Sequence, residues 1–109
     1  MKMAKLTAEQ KEIFEMNMEM AKEENITFVQ SEGKTITIAV KPNDRMHGFA
    51  RVYVAYCGYK DKPKRKLGIN AVMDRVANDN YILVPMETGA SMEDMAYRML
   101  AIMEENFYW

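Results

Sequence analysis

From Thr7 onward, apolar residues return at intervals of three and four. Ile13, Phe14, Met18 and Ala21 fall on one side of a helix, and Met16 and Met20 widen that stripe. Thr7 followed by Gln10 reads as a capping box, in which each side chain bonds the other's backbone N–H. Glu9, Glu12, Glu15, Glu19 and Glu23 cover much of the remaining surface, and Asn25 reads as the stop. The period then changes to two. Ile26, Phe28 and Gln30 alternate with Thr27 and Val29. After a polar turn centred on Gly33, Ile36, Ile38 and Val40 alternate with Thr35, Thr37 and Ala39. β-Branched residues dominate, so residues 26–41 are expected to form a hairpin, broken by Lys41-Pro42-Asn43-Asp44.

Residues 49–59 alternate again, with Val52, Val54 and Tyr56 on one face and Arg51, Tyr53, Ala55, Cys57 and Tyr59 on the other. Both faces are largely apolar, as for a central strand covered on two sides. Residues 67–76 fit two templates. Leu67, Ile69, Ala71 and Met73 alternate as a strand does, whereas Ile69, Val72, Met73 and Val76 recur as in a helix. Gly68 favours the strand, because glycine weakens a helix interior by about 1 kcal/mol. Residues 77–80 read as a turn and Tyr81–Pro85 as a buried strand. Ser91 with Asp94 opens a final helix, whose core stripe is Met92, Met95, Ala96, Met99, Leu100 and Met103. The expected fold is therefore α+β: an antiparallel sheet of four or five strands packed by an N-terminal and a C-terminal helix. Residues 1–109 are expected to form a single globular domain.

Charge divides the chain. Residues 41–75 hold nine Lys/Arg against three acids, although the protein as a whole has a formal net charge of −1. Such a division orients a partner on approach and leaves the fold itself undetermined. The single cysteine, Cys57, excludes an intrachain disulfide and favours a reducing compartment. No apolar run approaches the ~18 residues of a membrane span, and no signal-like segment follows Lys2 and Lys5. The expected location is cytoplasmic.

Chemistry is sparse. His47 is the only histidine and Cys57 the only thiol, so neither a Cys–His nucleophile with its orienting group nor a four-ligand zinc site is supplied. Residues 87–91 precede a helix and could offer backbone amides to an anion, but capping by Ser91 accounts for them. No metal site, no cofactor and no catalytic residue is expected, and the chain reads as a non-enzyme.

Two binding readings remain. In the first, the chain is a non-catalytic protein-binding module, an inhibitor or adaptor acting through charge-complementary surfaces. Glu12, Glu15, Glu19 and Glu23 would meet a basic target, joined by Tyr108 and Trp109 of the terminal aromatic triplet. Twelve methionines suit an adaptable contact surface, and separated charges also favour a homodimer. In the second, single-stranded nucleic acid binds the basic loop through Lys60, Lys62, Lys64, Arg65 and Lys66, with bases stacked on Tyr53 and Tyr59.

Overall fold

The computed structural model describes residues 7–43, 48–56 and 65–106. The first helix, α1 (Ala8–Glu24), opens with the expected capping box: the Thr7 hydroxyl accepts from the Gln10 N–H at 3.1 Å and the Gln10 amide oxygen accepts from the Thr7 N–H at 2.9 Å. It closes at Asn25, which adopts the left-handed conformation at φ 57°, while the Ile26 N–H reaches back to the Ala21 carbonyl. Asparagine tolerates that conformation better than most residues, and the bond satisfies a carbonyl the helix would otherwise leave free.

Strands β1 (Thr27–Gln30) and β2 (Ile36–Pro42) form the hairpin, antiparallel, with Val29 opposite Ile38. The turn is organised by Ser31. Its buried hydroxyl accepts from the N–H groups of Thr35 and Ile36, and the left-handed residue is Lys34 rather than Gly33. Strand β3 (Phe49–Tyr56) pairs with β2 over seven positions, Ile36↔Tyr56 to Pro42↔Ala50, and β4 (Ile82–Pro85) adds to its far side. All pairings are antiparallel and the order is β1-β2-β3-β4.

The segment that also reads as a strand is a helix, α2 (Arg65–Ala77), so three helices rather than two flank the sheet. Its buried residues are Ile69, Val72, Met73 and Val76, the helical alternative among the two patterns. Gly68 explains the misleading signal. A Cβ there would fall on the Thr37 hydroxyl and lie 2.7 Å from the Gln30 amide nitrogen. Glycine lets the helix backbone close onto β1 and β2, and that packing outweighs the low propensity. Gln30 stitches the junction, donating to Thr37 Oγ1 at 2.9 Å and to the Arg65 carbonyl at 3.2 Å.

The strand alternation sorts the core into two layers. Val29, Ile36, Ile38, Val40, Ala50 and Val52 face α3 (Met92–Asn106), which contributes Met95, Ala96, Met99 and Leu100. Ala39, Tyr53 and Ala55 face α2, with Phe14 and Met18 of α1 packed against the same cluster. α3 lies over β1 and β2, α2 over β2 and β3, and α1 rests principally on α2. The two layers reach β4 only in part, at Val84 and, just before the strand, Tyr81, so the expectation of a buried fourth strand is corrected: Ile82 and Leu83 are 49% and 43% exposed.

Candidate functional site

The acidic residues singled out in α1 lie where the sequence places them. Glu12, Glu15, Glu19 and Glu23 are all exposed, on the side of the helix turned from the sheet. Beside them is a feature that the apolar stripe had disguised. Ile13, Met16 and Met20, spaced three and four apart, are 41%, 65% and 46% exposed. Ile13 was expected in the core stripe and Met16 and Met20 to widen it; instead all three line an outward flank. The inner face consists of Phe14, Met18 and Ala21 together with two polar residues, Gln10 and Asn17.

Those polar residues fix the rotation of the helix. Asn17 Nδ2 donates to Asn70 Oδ1 at 2.9 Å, and Asn70 Nδ2 donates to the Gln10 carbonyl at 3.2 Å. With the Asn17 amide and the Gln10 backbone carbonyl directed at α2, Ile13, Met16 and Met20 cannot also turn inward. A further tie anchors the C-terminal end: Lys41 Nζ of β2 lies 2.7 Å from Glu24 Oε1. The missed signal was present in the sequence. The six apolar residues assigned to the α1 stripe spread too wide for one buried face, and Asn17 falls inside it.

The resulting surface is an apolar strip with an acidic margin. Glu12, Glu19 and Glu23 lie next to Met16 around the helix, and Glu15 extends the margin. Of the basic residues that the alternative reading uses, Arg65 and Lys66 are among the described residues. Arg65 and Lys66 are exposed at the start of α2, whose first turn holds no acid, and the Lys66 ammonium lies 5.1 Å from the centre of the Phe14 ring. Lys60, Lys62, Lys64 and Tyr59 lie outside the described residues, as do Tyr108, Trp109, His47 and Cys57.

Tyr53 requires correction. It is fully buried between the sheet and α2, edge-on to Tyr81 with ring centres 5.7 Å apart, and offers no face to a base. The alternation that places Tyr53 and Tyr59 on one face is the same alternation that aims Tyr53 into the α2 layer. Its hydroxyl meets no partner at ideal hydrogen-bond geometry but lies beside the Arg51 guanidinium, and that polar contact, ahead of the charges of Tyr81 and Asp79, holds Arg51 above the ordinary arginine value against the desolvation that would lower it. Arg51 also donates from Nε to Asn43 Oδ1 at 3.2 Å, stacks 4.6 Å from the Tyr81 ring centre and faces Asp79 at 4.0 Å. This cluster lies against the α2 layer of the core.

Among the described residues, no three His, Cys, Asp or Glu side chains converge as metal ligands, and no helix is long and apolar enough to cross a membrane. The chain matches no protein-family model, no curated protein and no solved structure.

Proposed function

We propose that this protein is a non-catalytic binding module, an inhibitor or adaptor, whose outer α1 face receives a basic amphipathic helix of a partner protein. The observation that carries the reading is the exposed Ile13-Met16-Met20 strip beside Glu12, Glu15, Glu19 and Glu23. An apolar strip alone would accept many surfaces; its acidic margin selects a cationic one. The thioether side chains adapt to knobs of varied shape, and apolar anchors at i, i+3 and i+7 are the usual spacing for helix-in-groove contacts. Long-range attraction speeds encounter, while the apolar strip holds the complex.

The probe is a fluorescent synthetic helix of leucine and lysine, titrated against the protein by anisotropy, with a leucine–glutamate helix as control. The lysine peptide should bind, losing affinity as salt rises, and the glutamate peptide should not. Met16→Lys should abolish binding, and replacing Glu12, Glu15, Glu19 and Glu23 by glutamine should weaken it and flatten its salt dependence. Equal binding of both peptides, or binding unchanged in these variants, overturns the proposal. Retention of single-stranded RNA that disappears on replacing Arg65 and Lys66 would favour the nucleic-acid reading instead.

A further inference from the structure

We infer that β4 is a self-association edge, at which two copies of this chain join their sheets antiparallel about Leu83. The inference is independent of the α1 face. Its starting point is the phase of the ladder. The Met86 N–H donates to the Gly48 carbonyl at 2.8 Å, and Phe49↔Pro85 through Val52↔Ile82 follow in register. Hydrogen-bonded pairs alternate in an antiparallel ladder. Val84 and Ile82 therefore bond β3, and the Leu83 N–H and carbonyl point outward from the last strand of the sheet. No partner for them exists among the described residues.

Natural sheets usually blunt such an edge with charge or proline. Here Ile82–Pro85 carries no charge, and Pro85 stands at the strand's end rather than its centre. A second copy of this chain fits that pattern. With Leu83 opposite Leu83 of the other copy, the central pair exchanges both backbone bonds. Pro85, which has no N–H, falls opposite Tyr81, where its carbonyl can still accept. Ile82 falls opposite Val84, so the apolar row Val52, Ile82 continues into Val84 and Ala50 of the other copy. The central Leu83 side chains meet on the opposite face. Half-exposed Ile82 and Leu83 would both be covered. The nearest acids at the strand ends, Asp79 and Glu87, each already face an arginine, Arg51 and Arg98, so no bare like charges oppose each other across the two-fold axis.

A four-residue edge buries less than a standard interface, so the dimer should be weak, with a dissociation constant on the order of 100 μM. Sedimentation equilibrium of the full chain tests it. Wild type should show a reversible monomer–dimer equilibrium. Leu83→Pro removes only the outward N–H and keeps the bonds to β3, so it should be monomeric with an unchanged far-UV spectrum. Leu83→Val keeps the donor and should still dimerise, as should Met16→Lys. A wild-type protein that stays monomeric to about 1 mM, ten times that constant, or a dimer that survives Leu83→Pro, overturns the inference.

Discussion

At the scale of single residues, Gly68 decides how closely a helix approaches a sheet. Gly68→Ala would gain about 1 kcal/mol of helix propensity. Against this, the new methyl meets Thr37, which is buried and β-branched and cannot step aside, and displaces Gln30 from its bond. Overpacking of this kind costs ~1–3 kcal/mol, so the variant should be less stable than wild type by urea denaturation, despite its better helix former. Tyr53 gives the opposite case. Its buried hydroxyl makes no well-formed hydrogen bond and touches only the Arg51 guanidinium, which keeps Asn43 and Asp79, so Tyr53→Phe leaves no partner stranded. Its effect on the denaturation midpoint should correspond to less than about 1 kcal/mol. Glu87 and Arg98 form a two-pronged pair at 2.6 and 3.0 Å, which holds the glutamate below its ordinary value, first through the hydrogen bond and then through charge. A carboxyl lowered on folding stabilises above its unfolded value and loses that contribution as pH falls through the folded one. Glu87→Gln should therefore melt slightly below wild type at pH 7. The two curves should converge in acid below the glutamate range and, the pair being exposed, also in high salt.

At the scale of elements, the hairpin, β3 and the two capped helices were legible, because their periods of two or near four are set by burial on one side or both. The stripe of α3 was read correctly: Met95, Ala96, Met99 and Leu100 are buried, with Met92 and Met103 beside them. α2 was not, because its glycine answers to a neighbouring strand distant in sequence. No local rule sees Thr37 beneath Gly68. Strand β4 misled for a related reason. An apolar run looks the same whether a helix lies over it or the sheet simply ends there. The proposed binding surface was half legible. The glutamates of α1 announced an outward face, but Ile13, Met16 and Met20 were assigned inward until the Asn17–Asn70 bond fixed the helix rotation.

At the scale of the molecule, the sheet is the shared wall of two cores, one closed by α3 and the other by α2. Those layers differ in how they are held. α3 and α2 both touch the strands directly, whereas α1 rests mainly on another helix, with the Lys41–Glu24 pair as a tether to β2. Removal of α1 would uncover Phe14's contacts and part of α2, yet leave every ladder bond of the sheet in place. Native-state hydrogen exchange should accordingly show α1 amides exchanging through a partial opening whose free energy lies below that of global unfolding, with β2 and β3 amides the slowest. Lys41→Ala should speed the first group and leave the second nearly unchanged. A helix so mounted behaves as a separable foldon, and any ligand gripping it from outside would be read out as slower exchange there before the strands register anything.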